Sequence, residues 1–331
     1  MTLTDQILMK LLNHQRQPIS GEELANELNI TRNTVWNHIN DLKEQGYQLT
    51  SQPGKGYTLT HLKPSLDSTQ LDYFLDGVFK SLHIEVLSTT PSTNNIAKTF
   101  QTKYPLQPAL FVTPHQTQGR GRYGKSFVSN LEQGIYFTLV LPPFTNQLEE
   151  VTQYTLIAAV AVVEALKPWV SEPLWIKWVN DIFYNNKKVA GILCESVMNL
   201  ENYEPQSIII GIGINLLGSF AKEDGLDAIA GTVFDQKLPF NFNMNQFVAT
   251  IVKNIAHHHQ TKDTTALIDQ YDRYLLGKGQ LVIYQQNNQC YTGVLKGVNH
   301  FGQLLIEQNS QIKTLLAGDV SLTSKQFAKE S

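Results

Sequence analysis

Cysteine is nearly absent: Cys194 and Cys290 are the only two in 331 residues, and they lack the C-x-x-C spacing of zinc and redox sites. That excludes a disulfide scaffold and fits a reducing compartment. Charge is scarce too. Charged residues make up 17% of the chain, and 26 Lys and Arg against 29 Asp and Glu leave a formal net charge of −3, which excludes nucleic-acid binding by bulk charge but permits one local DNA-reading element. Long hydrophobic runs are missing. The longest, Leu156 to Val163, is stopped by Glu164, well short of the ~20 residues that cross a bilayer. Met1-Thr2-Leu3-Thr4-Asp5 has neither the basic lead nor the apolar core of a secretory signal. These absences predict a cytoplasmic protein with no membrane segment. His257-His258-His259 cannot place three rings on one helical face, so the run is expected to be a solvated helix end and not a metal site.

What is present is ample core material, 42% hydrophobic residues, on a chain long enough for two or three domains. In the first sixty residues, Ile7, Leu8, Leu11 and Leu12 recur at helical spacing until Pro18 breaks the pattern. Ser20-Gly21-Glu22-Glu23 has the form of a capping box and starts a second helix, with Leu24 and Leu28 on one face. Asn29-Ile30 makes a tight turn, Thr31 caps a third helix, and Val35, Ile39 and Leu42 form its buried stripe. A hairpin follows through Tyr47, the Pro53-Gly54-Lys55-Gly56 turn and Tyr57. Residues 1–62 are thus predicted to be a winged helix-turn-helix. Its outward face carries Thr31, Arg32, Asn33, Thr34, Asn37 and His38, with Lys55 at the wing tip, side chains suited to base edges and phosphates. Five basic and six acidic residues in this segment predict weak non-specific binding and a need for dimerisation.

Residues 63–80 read as a connector. Residues 81–274 alternate strand-like runs with fewer helices (Ser92–Thr102, Leu148–Leu166, Phe247–His258, Thr264–Tyr274). Several strands follow one another directly, which predicts a mixed α+β sheet over strict βαβ winding. Residues 275–331 hold short strands with Gly turns, a small β-barrel.

The densest signal is Gly119-Arg120-Gly121-Arg122-Tyr123-Gly124-Lys125-Ser126-Phe127. It satisfies both the dinucleotide fingerprint and the P-loop formula, yet each requires a strand leading straight into the loop and a helix leaving it. Neither context is present around this segment. Without templates, it is a glycine-relaxed loop whose Arg120, Arg122 and Lys125 are placed to close on a polyanion.

Two further constellations lie downstream. Trp175-Ile176-Lys177-Trp178-Val179-Asn180-Asp181 precedes a strand that contains Lys188, and alternation puts Lys177 opposite Trp178. Lys188 and Asp181 are expected in one cleft, a pairing suited to Mg²⁺ and phosphate. In Ile210-Gly211-Ile212-Gly213-Ile214-Asn215, alternate glycines leave one strand face bare for a flat group whose edge Asn215 can read. A close crossing by another element is the competing explanation.

Taken together these residues resemble the bifunctional biotin–protein ligases that also repress biotin genes. The resemblance runs through Ser92-Thr93-Asn94, Gln116, the arginine loop, Trp178-Val179-Asn180-Asp181, Lys188-Val189-Ala190-Gly191-Ile192, Gly211–Asn215 and Lys296–Gly302. It implies a central ligase domain related to class II synthetases and an SH3-like C-terminal barrel. It also implies the chemistry: biotin's carboxylate attacks the α-phosphate of ATP with Mg²⁺, and a lysine of a biotin carboxyl carrier domain then attacks the adenylate. Ser92, Thr93, Asn94 and Gln116 would hold biotin with Arg120, Gly121, Arg122 and Lys188. Gly119, Arg120, Arg122, Lys125, Phe127, Asn180, Lys188, Gly211, Gly213 and Asn215 would face ATP and the adenylate. Lys188, Arg120, Arg122 and Asp181 would be catalytic, Asp181 near the metal. The adenylate would also be the corepressor that favours a homodimer on operator DNA. Departures from the family pattern are Val179 in place of Pro, Lys125 and Phe127 in place of Arg and Trp, and Tyr123 in place of a basic residue. A non-catalytic biotin sensor and a P-loop regulator with a DNA-binding head are the alternatives.

Overall fold

The computed structural model describes residues 1–14, 17–129, 133–143, 150–198, 205–220, 225, 228–286, 289–316 and 320–322. They form two compact units. One comprises Met1–Gly77 with Asn243–Ala249, the other Val78–Phe242 with Thr250–Ser331.

The N-terminal unit opens with α1 (Leu3–Asn13), α2 (Gly21–Leu28) and α3 (Arg32–Glu44), followed by the hairpin of β1 (Gln48–Gln52) and β2 (Gly56–His61). The expected stripes are buried together: Ile7, Leu8, Leu11 and Leu12 of α1 meet Leu24 of α2 and Val35, Ile39 and Leu42 of α3. Caps set the helix starts. At Ser20 only the hydroxyl arm is made, to Glu23 N at 3.0 Å; the complete reciprocal box belongs to Thr2 and Asp5 on α1, where the sequence reading had none. Asn29 adopts φ 54° and turns the chain into α3. Within the stretch read as a connector lies a helix, α4 (Ser68–Leu75), capped by Asp67. Asn245 reaches this unit as well, accepting from Asp67 N at 2.8 Å and donating to Ser65 O at 3.0 Å.

The second unit is built on a seven-stranded mixed sheet. Its strands are β3 (His83–Val86), β4 (Ala109–Thr113), β5 (Gln133–Leu141), β6 (Leu174–Lys177), β7 (Asp181–Tyr184), β8 (Lys187–Met198) and β9 (Pro205–Leu217), in the order β3-β4-β5-β9-β8-β7-β6. Only β3 and β4 run parallel. On one face, α5 (Thr93–Lys103) packs Ala97 against Phe111, Val140 and Ile209. The same face continues through Gly211, at the start of that helix, to Gly213. On the other side α6 (Glu150–Leu166) brings Thr155 to Cys194, and burial pushes that thiol up to about 12. The helices α7 (Met244–Thr261) and α8 (Thr264–Tyr274) follow. His259 is not a solvated end: it is half-buried, and its Nδ1 lies 2.8 Å from Tyr154 Oη.

The chain closes in an antiparallel five-stranded sheet: β10 (Leu281–Gln286), β11 (Gln289–Val298), β12 (Leu304–Gln308), β13 (Gln311–Leu315) and β14 (Val320–Leu322), in the order β13-β12-β11-β10-β14. No helix among the described residues is long and apolar enough to cross a membrane.

Candidate functional site

A cavity of about 630 Å³ opens over the bare end of the seven-stranded sheet. Its floor starts at α5. Ser92 makes no cap bond; instead Gln116 Oε1 accepts from Thr93 N at 2.9 Å and lies 3.1 Å from Thr93 Oγ1. Asn94 turns its amide across β9, and a Cβ on Gly211 would collide with it. Any larger residue at position 211 would displace the amide. The close-crossing explanation therefore holds at Gly211, and the flat group expected there is Asn94 itself.

Gly213 and Gly191 on β8 are covered by the ring of Phe127, which would meet their added Cβ atoms at 2.7 and 2.8 Å. Phe127 also packs edge-on to Tyr136 and lies under Lys188, whose Nζ is 5.5 Å from the ring centroid. The face read as open to a ligand ring is thus lined by side chains of the chain. Asn215 is buried and donates to Gly231 O at 3.2 Å. Its Oδ1 is buried and has no hydrogen-bond partner among the described residues.

Among the described residues, no α-helix directly follows the glycine loop. A three-residue 3-10 turn, Arg122–Gly124, is all that forms, with Tyr123 at φ 57°, so the P-loop and dinucleotide readings fail on context. Gly121 N to Lys125 O (2.7 Å) and Phe127 N to Gly119 O (2.9 Å) close the loop on itself. Arg122 stacks on Tyr123, 5.1 Å from its ring centroid. Arg120 and Lys125 are exposed at the rim.

Opposite the loop, β6 ends at Lys177 and the chain turns through Trp178 and Val179 before β7. Alternation consequently fails at this point, and Lys177 and Trp178 both line the cavity. The turn is pinned from three sides: Trp178 Nε1 donates to Gly302 O at 3.0 Å, Tyr271 Oη donates to Val179 O at 3.1 Å, and Asn180 Nδ2 donates to Ile192 O at 2.9 Å. Lys188 Nζ lies 2.7 Å from Asp181 Oδ1, a buried oxygen with no other partner among the described residues. Burial lowers the pKa of Lys177, with Asp181 opposing the shift, and burial raises that of Tyr271.

Of the sequence-derived site residues in this unit, only Gly119 is off the cavity wall; it forms the loop's inner hinge against Phe127 O and Ser129. Among the described residues, five cations (Arg120, Arg122, Lys125, Lys177 and Lys188) and one carboxylate, Asp181, line the space. Sequence reasoning missed Lys177 as a lining group, and also Phe220, Ile229 and the buried Thr138 and Ser129 behind the floor. A lysine flanked by apolar residues in a strand was the available signal for the first; the others carry none.

In the N-terminal unit Arg32, Asn33, Asn37 and Lys55 are exposed. Thr31 and Thr34 are engaged with each other in the helix cap. His38 is half-buried, its Nδ1 2.9 Å from Thr4 Oγ1 and 3.2 Å from Asp41 Oδ2, so it is less available than its outward position suggested. Trp36, overlooked in the sequence, is 54% exposed on the same helix.

Comparison with known proteins gives two matched families: an HTH domain over residues 4–58 and the biotin/lipoate A/B protein ligase family over residues 86–215. The bifunctional ligase/repressor BirA of Bacillus subtilis is 30% identical over 312 residues, 92% of this chain and 94% of that protein. BirA of Escherichia coli is 25% identical across 92% and 93%. Among solved structures, the biotin protein ligase of Aquifex aeolicus in complex with biotin and ATP is similar, with a TM-score of 0.59 and 25% identity over 74% of this chain and 99% of that one.

Proposed function

We infer the activity from one premise: the chain belongs to the family of the bifunctional ligase/repressors, an HTH domain joined to a biotin/lipoate A/B protein ligase domain. It is an ATP-dependent biotin–protein ligase and a repressor. The observation that carries the site assignment is the cavity itself, where five cations and one carboxylate surround a polar floor. Bringing a carboxylate to a polyphosphate sets anion against anion, and fixed cations in a partly enclosed site lower that cost most as charge builds on the reacting phosphorus.

The roles divide by position. Ser92, Thr93, Asn94 and Gln116, on the floor, hold the biotin head, and Arg120, Gly121 and Arg122 fold over its valeryl arm and the adenylate. Gly119 and Lys125 complete the loop around the nucleotide with Phe127. Asn180 and Asn215 line the nucleotide side, with Gly213 beneath Phe127 and Gly211 beneath Asn94. Lys188 stands at the junction and neutralises the carboxylate and α-phosphate. Attack of a biotin carboxylate oxygen on the α-phosphorus breaks the bond to the bridging oxygen, and pyrophosphate leaves. The neutral amine of a carrier-domain lysine then attacks the biotinyl carbonyl carbon, AMP leaves with the C–O electron pair, and the amine's proton passes to solvent.

The donor set fits Mg²⁺ in one respect. The ion is commonly held by one or two carboxylates and substrate phosphates, and Asp181 is the one carboxylate on the wall among the described residues. Asp181 would hold it together with the phosphates, where it would supply charge neutralisation.

The winged helix reads operator DNA through Arg32, Asn33 and Asn37, with Thr31, Thr34, His38 and Lys55 beside them, as a homodimer when the adenylate is bound. The cell compartment is the cytoplasm. The test is the intact mass of a biotin carboxyl carrier domain after incubation with this protein, biotin, ATP and Mg²⁺. A gain of one biotin with wild type, lost with Lys188→Ala, is expected; no gain from a protein that binds biotin overturns the ligase assignment.

A further inference from the structure

Behind the cavity floor runs a chain of hydrogen bonds, buried at Thr138 and ending on a half-exposed charged pair. Lys98 Nζ lies 2.6 Å from Glu195 Oε1, and Glu195 Oε2 takes Asn94 Nδ2 at 2.9 Å. Asn94 Oδ1 is 2.7 Å from Thr138 Oγ1, which is 2.8 Å from Thr93 Oγ1. Asn94, Thr138 and Thr93 are all buried. The sense of each bond is fixed from the charged end. A carboxylate only accepts, and so does the Leu193 carbonyl 3.3 Å from the same nitrogen, so the Asn94 amide nitrogen must face β8. Its oxygen then faces Thr138 and must receive that hydroxyl's single proton. Toward Thr93, Thr138 can therefore only accept. The Thr93 proton goes to Thr138 or to Gln116 Oε1 at 3.1 Å, and toward the cavity Thr93 offers lone pairs alone. Beside it, the Thr93 backbone N–H fixes Gln116 Oε1 inward, leaving Gln116 Nε2 as a donor.

We propose that Glu195, held by Lys98, sets the donor and acceptor polarity of the floor, and that both are positioning residues that select a head group presenting an N–H beside a C=O. A cyclic urea has that pattern. The inference deepens the biotin assignment above and rests on it. Without the carboxylate, only the longer 3.3 Å contact to the Leu193 carbonyl holds the amide nitrogen toward β8; a donor at position 195 that outweighs it inverts Asn94, Thr138 then donates to Thr93, and the Thr93 hydroxyl becomes a donor toward the ligand.

The discriminating variant reverses the pair: Lys98→Glu with Glu195→Lys. It retains an ion pair, so a purely structural role predicts unchanged binding. Polarity control predicts that the donor-only Lys at 195 inverts Asn94 and raises the biotin Kd about tenfold or more, with the ATP Kd and the melting temperature held. Adding Asn94→Asp, which accepts from both neighbours, should then bring biotin binding back toward wild type. A charge-swapped protein that binds biotin as wild type does overturns the inference, as does loss of biotin and ATP binding together with a lowered melting temperature. If the swap does not fold, isosteric Glu195→Gln decides: a raised biotin Kd at unchanged melting temperature supports polarity control, and an unchanged Kd overturns it. Wild-type protein that fails to bind biotin would instead sink the biotin assignment itself.

Discussion

The indole N–H of Trp178 is hydrogen-bonded to the carbonyl of Gly302 at 3.0 Å in a buried contact that joins the turn before β7 to the C-terminal segment between β11 and β12. Trp178 lines the cavity one residue after Lys177 and three before Asp181. The C-terminal segment thus contacts the turn that lies between Lys177 and Asp181. Trp178→Phe keeps an aromatic ring but leaves the carbonyl unpaired, at a cost of about 1–3 kcal/mol. The melting temperature should fall, and the rate of adenylate formation should fall more than the affinity for biotin. Thermal denaturation and pyrophosphate release at saturating biotin are the two readouts.

Lys188 and Asp181 make a second prediction, because their side chains are only 30% and 21% exposed. Lys188→Ala should slow adenylate formation by about 10²–10³, the usual effect of losing one preorganised charge partner. It also strands the Asp181 carboxylate, so stability should drop by about 1–2 kcal/mol, between the values for exposed and buried pairs. Adding Asp181→Asn should return most of the stability and none of the rate. Recovery of turnover in the double variant would place the chemistry elsewhere.

Much of this was legible in the chain. Val35, Ile39 and Leu42 at i, i+4 and i+7 located α3, and the loop cations, Lys188 and Asp181 were found where charge stood beside glycine or a turn. What local pattern could not show was partnership at long range. Asn245 completes the N-terminal unit from 178 positions beyond Asp67, with no local motif to mark it. The glycines of β9 signalled a close approach, but only the fold identifies Asn94 and Phe127 as the groups that approach. Lys177 was misplaced because strand alternation was extended one residue past the end of β6, where the chain had begun to turn. Thr138 and Glu195 sit in strands as ordinary polar residues, and their roles appear only through their neighbours.

Lys177 carries a pH prediction. Burial lowers its pKa in the folded protein, so across the window between the folded and unfolded values the unfolded chain binds more protons and stability rises with pH. Against a Lys177→Met variant, which lacks this group, wild type should gain stability as pH climbs through the lowered folded value toward the ordinary lysine range, about 10.4. The difference between the two denaturation curves isolates the effect from other groups. A difference that shrinks with rising pH would mean that the ammonium is stabilised in place and that its surroundings supply more countercharge than Asp181 alone.

The last prediction concerns the other activity, whose charge is concentrated in very few side chains. Arg32 opens α3 and Lys55 tips the wing; both are exposed, and the segment around them has no basic excess. Each phosphate contact contributes close to one unit to the dependence of log affinity on log salt. If the operator complex is the proposed homodimer, its few such contacts should give a shallow slope for operator binding. Lys55→Ala should weaken binding similarly across sequences and flatten the slope by about two, one per protomer. Arg32→Ala should also relax sequence preference if its guanidinium reaches a base edge, and only flatten the slope if it holds phosphate. Neither variant should change carrier biotinylation, because both residues lie in the unit that does not contain the cavity. Titrations of a labelled operator at several salt concentrations, with biotin and ATP present, separate these outcomes, and a biotinylation defect in either variant would count against a division of labour between the two units.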